Sequence, residues 1–356
     1  MKERIEKIQS ILAEGEAALV LSGANRFYLT GFASSDGALL ITPTRAVFLI
    51  DFRYVEMARA AVHHTEVVLM ERKLGQIATL CAEEKVTRLL VETYSMDLST
   101  YGQITRALKD ITVPADDSRL DVALVDARAV KTRAELANII AAQKMTDETF
   151  TYITERLTPG RTEREVALDM EFFMRRLGSE GVSFDFIVVS GKNSSLPHGV
   201  PTDKKIEVGD FVTMDFGAVV NGYRSDMTRT VAIGKVDEDQ RKVYETVLAA
   251  QTAALGFLRA GVKGSDADRV ARDLIYGAGY EGCFGHSLGH SVGIEIHEMP
   301  TCSPRCDTPL AAGTVMTCEP GIYLENRFGV RIEDMVYITE DGCENLTASC
   351  KDLLIL

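Results

Sequence analysis

The stretch VGDFVTMDFG (208–217), followed by YRSD (223–226), occurs twice in this chain, the second time in altered form. The second copy reads AGTVMTCEPG (312–321) and is followed by VRIE (330–333). Solenoids stack three or more short units, so two copies about a hundred residues apart do not form one. The duplication instead predicts a single domain built from two similar halves.

A similar pattern of helix ends precedes each copy. We expect one helix to end at Gly160 and the next to begin at the N-cap Thr162, and the same arrangement at Gly261 and Ser265. An acid stands three residues after each hydroxyl residue, as in a capping box. The two halves are therefore predicted to share helices as well as strands.

Acidic residues recur at the same register in both copies. Four carboxylates that converge repel one another unless cations lie between them. A single acid in an apolar strand is equally well explained by a strand end or by pairing with an arginine, but a matched set favours a metal site. The matched residues are Asp215 with Glu319, Arg224 with Arg331, and Asp226 with Glu333.

Composition argues against several classes of protein. A chain of 356 residues corresponds to about two domains. No stretch approaches the roughly 20 apolar residues of a membrane span, and the start, MKERIEKIQSIL, lacks the apolar core of a signal peptide. The net charge of -13 argues against nucleic acid as a partner. We therefore expect a cytoplasmic globular protein that binds neither nucleic acid nor membrane.

The seven cysteines are an odd number spread along a long chain, which is typical of reduced thiols. Cys302 and Cys306 form a C-x3-C pair, which is either part of a zinc site or an ordinary pair of loop thiols. Because no second pair stands at zinc-finger spacing, we expect loop thiols.

Residues 1–124 are predicted to form a small α/β domain, because apolar strands alternate with helical patterns. Strands are expected at 17–21, 37–41, 46–50, 66–69 and 88–91. Helices are expected at 2–14, 53–61 and 73–84.

Residues 125–356 are predicted to form the duplicated domain. In each half, two helices precede strands, an order typical of an α+β fold in which helices cover a curved antiparallel sheet with one face open to a ligand. Helices are expected at 133–157, 163–177, 238–260 and 266–276. Strands are expected at 184–190, 211–217, 228–233, 315–319 and 335–338.

Histidines add to the acidic pattern. His286, His290 and His297 fall in FGHSLGHSVGIEIHEMP (284–300), where three glycines indicate a backbone that approaches a ligand closely. His198 lies in the turn-rich SSLPHGV (194–200), a loop suited to the rim of a pocket. The spacing is not HExxH, so the helical zinc-protease motif is excluded.

Four carboxylates and one imidazole form a hard, oxygen-rich set of ligands. This set suits manganese, cobalt, iron or zinc in a two-metal centre better than a thiolate site. The two ions of such centres lie roughly 3.5–4 Å apart and activate a water.

At these residues the chain resembles the pita-bread metallopeptidase family, which includes methionine aminopeptidase, aminopeptidase P and prolidase. The resemblance covers essentially the whole chain and implies two divalent ions, manganese first and cobalt, zinc or iron as alternatives. Its motifs are MDFG (214–217), SDMTRT (225–230), HSLGHSVGIEIHEMP (286–300), EPGIY (319–323) and VRIED (330–334).

The resemblance also implies a role for each site residue. Asp226 and Glu333 would bridge both ions, and Glu319 would also accept the proton of the attacking water. His198, His286 and His297 would contact the substrate and the tetrahedral intermediate. The full set of implied metal ligands is Asp215, Asp226, His290, Glu319 and Glu333.

The N-terminal domain favours the Xaa-Pro branch of this family. NRFYLTGF (25–32), LIDFRY (49–54) and the connector DARAVKTRAEL (126–136) resemble the creatinase/prolidase type, which methionine aminopeptidases lack. The implied protein is a dinuclear Xaa-Pro dipeptidase or aminopeptidase P, assembled as a homodimer, whose substrate is a small peptide with proline second. The alternatives are a non-catalytic peptide-binding protein of the same fold and a creatinase-like amidinohydrolase. Creatinase lacks the metal-binding acids that this chain retains.

The chain departs from the family pattern at two positions. Ser291 stands where the family usually has glycine. Thr301 stands where some prolidases carry an arginine that holds the substrate carboxylate, and we expect Arg305, together with Arg331, to serve the substrate instead. The first departure puts the loop geometry in question, and the second puts a strict dipeptidase assignment in question.

Overall fold

Two separate sets of contacts divide the computed structural model, which describes residues 1–356. The first unit is Met1–Arg128 and the second is Ala129–Leu356. The division falls a few residues after the boundary expected from sequence, because the helix Arg119–Ala129 runs across that boundary. Each unit is described by itself below.

A five-stranded mixed sheet forms the centre of the first unit, with strand order β4-β3-β2-β1-β5. Strand β1 pairs antiparallel with β2 and parallel with β5, and every one of its residues is buried, as expected of a central strand. The strands are β1 (Glu16–Val20), β2 (Ala38–Ile41), β3 (Ala46–Ile50), β4 (Glu66–Leu69) and β5 (Arg88–Val91). The helices are α1 (Lys2–Gln9), α2 (Gly23–Thr30), α3 (Val55–Ala61), α4 (Lys73–Glu83), α5 (Leu98–Ala107) and α6 (Arg119–Ala129).

The first half of the second unit contains a pair of helices and an antiparallel sheet of order β10-β7-β6. Capping boxes at Thr132 and Thr162 start its two helices, as the sequence predicts. The helices are α7 (Arg133–Thr154) and α8 (Glu163–Arg176). The strands are β6 (Ile187–Ser190), β7 (Phe211–Phe216), β8 (Val219–Val220), β9 (Tyr223–Arg224) and β10 (Met227–Ala232), with a 3-10 helix at Gly191–Ser195.

The second half repeats this plan with an antiparallel sheet of order β12-β11-β13-β16-β17. Its helices are α9 (Glu238–Phe257) and α10 (Gly264–Gly277). Its strands are β11 (Gly289–Ser291), β12 (Glu298–Cys302), β13 (Val315–Cys318), β14 (Gly321–Leu324), β15 (Phe328–Arg331), β16 (Asp334–Ile338) and β17 (Cys343–Asn345).

Backbone hydrogen bonds show the duplication directly. The amide of Gly160 donates to the carbonyl of Ile206 at 2.8 Å, and Gly261 donates to Leu310 at the same distance. Isolated bridges join Thr162 to Lys205 in the first half and Lys263 to Pro309 in the second. The start of α8 and the start of α10 are therefore held by equivalent segments.

The helix ends differ from the expected ones. Gly160 and Gly261 lie in loops beyond the preceding helices, with φ of 93° and 82°, a region that glycine adopts without strain. Helix α10 begins at Gly264 with N-cap Lys263, so the predicted N-cap Ser265 is wrong. Ser265 instead donates its amide to the carbonyl of Cys306.

The two larger sheets of the second unit meet along β10, next to the two-stranded sheet β14-β15. The amide of Glu333 donates to the carbonyl of Thr228 at 3.1 Å, and the hydroxyl of Thr230 donates to the carbonyl of Arg331 at 3.0 Å. The predicted fold class is confirmed, with the antiparallel sheet divided into two pieces joined at this seam. No helix of either unit is long and apolar enough to cross a membrane.

Candidate metal centre

The acids predicted from the duplication lie at matched positions of the two sheets. Asp215 lies in β7, opposite Thr228 of β10. Glu319 directly follows β13, and Asp226 and Glu333 directly precede β10 and β16. Because these strand ends meet at the seam between the sheets, acids far apart in sequence face one cavity.

His290 of β11 lies among these acids. Its Nε2 is 3.5 Å from Oδ2 of Asp226 and 3.4 Å from Oε1 of Glu319. One ligand atom each from Asp226, His290 and Glu333 lie within 4.8 Å of one another. The cavity, of about 690 Å³, is lined by all five predicted ligands and by His198, His286, His297 and Arg331.

The acids destabilise one another's charged forms. Burial raises the pKa of Asp226 well above its usual range, and the charges of Glu333, Asp215 and Glu319 raise it further. Burial, followed by Glu319 and Asp215, does the same to the pKa of Glu333. Burial raises the pKa of Glu319 to about 8, although Arg331 opposes this shift. The cluster therefore requires positive charge, supplied by protons or by cations.

The orientation of His290 fits a cation. Its Nδ1 is 3.2 Å from the carbonyl oxygen of Ser291, which can only accept, so Nδ1 carries the ring proton. Burial lowers the pKa of His290 to about 4, so the ring is neutral at pH 7. Its Nε2 lone pair therefore faces carboxylate oxygens of Asp226 and Glu319, an arrangement that is repulsive unless a proton or a metal cation lies between them.

Asp215 gives a second sign that the site fits a cation. Its Oδ2 accepts from Nη2 of Arg331 at 2.7 Å, whereas its Oδ1 is buried without any hydrogen-bond partner. A buried carboxylate oxygen without a partner is costly. The free oxygen lies in the wall of the cavity, so the donor set fits a divalent metal.

Hydroxyl groups fix the orientation of the remaining carboxylates. The hydroxyl of Thr228 donates to Oε2 of Glu333 at 2.7 Å, and the hydroxyl of Thr317 donates to Oε1 of Glu319 at 3.1 Å. Sequence reasoning did not assign these threonines a role. Their signal is strand alternation, because Thr228 lies two residues after Asp226 and Thr317 lies two residues before Glu319.

Arg331 is buried, and its hydrogen bonds are to residues in or beside the cavity wall. Its Nε donates to the hydroxyl of Thr228, and its Nη1 donates to the carbonyl of Pro197 and to the hydroxyl of Tyr323. Together with its bond to Asp215, these contacts use every nitrogen of the guanidinium. Arg331 thus orients a carboxylate, and it has little capacity left for the substrate contact predicted for it.

The other two arginines do not match the expectations. Arg224 donates to the backbone carbonyls of Ile294 and Ser183, so its match with Arg331 in sequence is not a match in contacts. Arg305 is exposed and does not line the cavity, although Thr301 does. Arg305 follows the end of β12 at Cys302 and is exposed to solvent. It is therefore not at the position expected of a substrate ligand.

The three histidines outside the acidic cluster fall into two groups. His198 and His297 are exposed at the cavity, and the ring centroids of His297 and His290 are 4.5 Å apart. His286 is less exposed: its Nδ1 donates to the carbonyl of Ser287, and its Nε2 accepts from the hydroxyl of Tyr323 at 2.8 Å. Burial lowers the pKa of His286 to about 3. Tyr323 therefore links Arg331 to His286, a role that the sequence did not predict.

Comparison with known proteins agrees with this geometry. The profile of Metallopeptidase family M24 matches residues 137–340, and that of the Creatinase/Prolidase N-terminal domain matches residues 4–130. The chain belongs to metallopeptidase family M24. Membership implies divalent metal ions, in agreement with the donor set of the cavity. The resemblance drawn from the sequence motifs is confirmed, and the metallopeptidase function is favoured over the non-catalytic and amidinohydrolase alternatives.

Relatives of this M24 chain cover nearly its whole length. An Xaa-Pro dipeptidase of Pyrococcus furiosus is 36% identical over 358 residues, covering 99% of this chain and 100% of that protein. The solved structure of an Xaa-Pro dipeptidase from Bacillus anthracis is 39% identical with a TM-score of 0.95, covering 99% of both chains. The structure of an X-Pro aminopeptidase from Thermotoga maritima is 35% identical with a TM-score of 0.89, covering 98% of this chain and 99% of that one.

Proposed function

We propose that this M24 enzyme hydrolyses the Xaa-Pro bond of dipeptides or short peptides with two divalent metal ions per chain. The proposed ligands are Asp215, Asp226, His290, Glu319 and Glu333. The observation that carries the proposal is the position of His290, whose Nε2 faces two carboxylates in the cavity while its Nδ1 faces a backbone carbonyl. The names of the relatives support the choice of the Xaa-Pro bond.

Bound metal ions would polarise the scissile carbonyl and lower the pKa of a water. The residues of the chain supply the remaining parts. Glu319 is the proton acceptor, and its pKa, raised to about 8 by burial, shows that its surroundings favour the protonated form. His198 and His297 are exposed at the cavity and would donate to the oxyanion of the tetrahedral intermediate.

The cavity offers apolar walls for a proline ring. Phe184, Phe186 and Ile187 line it on one segment, and Val200 and Ile296 line it on two loops. The nitrogen of an Xaa-Pro bond carries no hydrogen, so its recognition depends on the shape of such walls rather than on a hydrogen-bond acceptor. These walls support a proline subsite that sequence reasoning did not locate.

The choice between dipeptides and longer peptides depends on a cation for the terminal carboxylate. Arg331 is the one arginine in the cavity wall, there is no lysine there, and the nitrogens of Arg331 are already bonded within the protein. Histidines remain as the hydrogen-bond donors available to a free carboxylate. The structure therefore favours Xaa-Pro-Yaa peptides at least as much as Xaa-Pro dipeptides.

Hydrolysis assays test the proposal. We expect turnover of Ala-Pro or Ala-Pro-Ala, no turnover of Ala-Ala-Ala, and loss of activity with a chelator that added manganese restores. The ratio of kcat/KM for the two proline peptides assigns the chain to the dipeptidase or aminopeptidase type. Activity that survives full removal of metal would contradict the proposal.

Manganese is the metal we propose, because the ligand set is dominated by carboxylates. Reconstitution of the metal-free protein with manganese, cobalt, zinc and iron tests this choice. The expected result is about two ions bound per chain and the highest kcat/KM with manganese. A preference for another of these metals would change the metal and leave the site intact.

We also propose a homodimer in a reducing cytoplasm. Phe52 and Leu98 of the first unit are 83% and 88% exposed, and a dimer interface on this unit would cover such side chains. All seven cysteines are unpaired. Light scattering would give about twice the chain mass of 39.1 kDa for a dimer, and cell fractionation would test the compartment.

A further inference from the structure

A buried carboxylate outside the metal cluster has no part in the proposed mechanism. Glu163 is the first residue of α8 and is fully buried. Its Oε1 accepts from the amide of Ser190 at 2.6 Å and from the hydroxyl of Ser190 at 2.9 Å. Its Oε2 accepts from the amide and the hydroxyl of Thr202 at 3.0 Å and 2.6 Å. Asn193 donates to both oxygens, at 3.1 Å and 3.2 Å.

These donors belong to one loop, residues 190–202, which we call the His198 loop. Ser190 and Asn193 lie at its beginning and Thr202 at its end. Between them, residues 197–201 line the cavity, and His198 is exposed there. A single carboxylate therefore binds both ends of the loop that carries a predicted substrate histidine, and none of its partners is a cation.

The second half of the domain has no such carboxylate. Equivalent backbone bonds make Gly264 the counterpart of Glu163, since the amide of Glu163 donates to Lys204 and that of Gly264 donates to Thr308. A Cβ on Gly264 would lie 2.1 Å from the carbonyl oxygen of Thr301, so the loop there packs directly on the helix backbone. The fold thus does not require an acid at this position, and Glu163 is specific to the His198 loop.

The tip of the loop has its own anchor at the metal site. The carbonyl of Pro197, next to His198, accepts from Nη1 of Arg331 at 3.1 Å, and Arg331 also holds Asp215. The hydroxyl of Ser194 accepts a hydrogen bond from the amide of Gly329 at 2.9 Å. With its tip fixed by Arg331 and its two ends fixed by Glu163, the loop holds His198 in one position relative to Asp215.

We infer that Glu163 is a positioning residue that acts through His198, because it fastens both ends of the His198 loop and so sets the imidazole against the bound substrate. Two backbone amides, two hydroxyls and an amide side chain would lose their acceptor without it. The donors of Ser190 are fully buried, where the loss of an acceptor is costly. The catalytic part of this inference rests on the proposed function. The structural part does not.

Two variants of α8 separate the loop contact from a general change of helix charge. Glu163→Gln keeps the size of the side chain but leaves one oxygen, so the donors of Ser190 and Thr202 cannot both be satisfied. Glu165→Gln is the matched control, because Glu165 is exposed and its carboxylate accepts from the amide of its N-cap Thr162, outside the His198 loop. Glutamine is equally suited to a capping box.

Hydrogen exchange tests the loop without any reference to activity. In the metal-loaded enzyme we expect peptides that cover residues 190–202 to exchange about tenfold faster in Glu163→Gln than in the wild type. Peptides of α9 should be unchanged, and Glu165→Gln should match the wild type throughout. An unchanged exchange rate across residues 190–202 would overturn the inference.

A double-mutant cycle tests the action through His198. We expect Glu163→Gln to lower kcat/KM for the better proline peptide by roughly ten- to hundredfold, with metal content unchanged. In a His198→Ala background the same substitution should have almost no further effect, because the residue it positions is already gone. Independent, multiplying effects would overturn the catalytic part. If the wild type cleaves no proline peptide while the exchange result holds, the proposed function fails and the anchoring of the loop stands.

Discussion

The carboxylates at the seam between the sheets lie close enough together to bind a cation. Without a cation, repulsion between their charged forms destabilises the protein. Burial and three neighbouring acids raise the pKa of Asp226, so its charged form is unfavourable without a cation. Asp226→Asn should abolish metal binding and turnover together. In the presence of chelator the same variant should melt higher than the wild type, by about 2–4 °C for each kcal/mol of relieved repulsion.

Differential scanning calorimetry with and without manganese measures both effects of Asp226→Asn. Glu340→Gln, a change of an exposed acid, is the control and should leave both melting temperatures near those of the wild type. A variant that binds two ions and retains turnover would show that Asp226 is not a ligand.

Tyr323 links two residues of the site, although no repeat in the sequence predicts a role for it. Its hydroxyl accepts from Arg331 and donates to His286, both at 2.8 Å. Tyr323→Phe should remove one of the two acceptors of Arg331 Nη1 and leave Nε2 of His286 without its partner, at a cost of about 1–3 kcal/mol. We expect kcat/KM to fall by about tenfold to a hundredfold with both ions still bound. Metal loss in this variant would instead place Tyr323 in support of the ligands themselves.

At the scale of elements, a buried ion pair holds β11 and β12 together. Nζ of Lys131 lies 3.1 Å from Oε2 of Glu298 and 3.1 Å from Oγ of Ser291. Oε1 of Glu298 accepts the amides of Ile294 and Glu295, which shape the loop before His297. The serine that departs from the family pattern is thus a partner of a buried lysine.

This arrangement predicts unequal effects for two substitutions. Lys131→Met should destabilise the protein by about 3–5 kcal/mol, because it leaves the Glu298 carboxylate buried without its cation. Ser291→Gly should cost about 1 kcal/mol, the loss of one hydrogen bond among several. Urea unfolding measures both, and a Lys131→Met variant as stable as Ser291→Gly would show that water reaches Glu298.

Long elements with a regular apolar pattern could be predicted from the sequence, and short elements without such a pattern could not. Strands β7, β10, β13 and β16 and the long helices have clear apolar periods, and the sequence placed them within a few residues. The short strands β11, β12, β14 and β15 contain glycine, histidine and proline, and no alternation marks them. Helices α2, α5 and α6 were missed because glycine, threonine and charged residues interrupt their apolar faces. The acids of the site were predictable because the duplication repeats them, whereas Tyr323 and Glu163 occur without a repeat.

At the scale of the molecule, the two units have separate roles. All five proposed ligands and the cavity belong to Ala129–Leu356, and the sheet of Met1–Arg128 contributes none of them. The five side chains, from both halves of the second unit, line one cavity, so metal bound there in the native state would stabilise both halves at once. The gain in stability is RT ln(1 + [L]/Kd), or about 2.7 kcal/mol when free metal is one hundred times Kd.

Metal removal should therefore act on one unit. With chelator, we expect amide exchange to rise at β7, β10, β13 and β16, the strands that carry or adjoin the ligands, and to remain unchanged in the first-unit strands β1, β2 and β3. The Asp226→Asn variant is the reference. Because it should not bind metal, its amide exchange should be the same with chelator as with manganese. Equal acceleration in both units would mean that they unfold as one cooperative body, and no acceleration in the second unit would mean that the acids do not hold the metal.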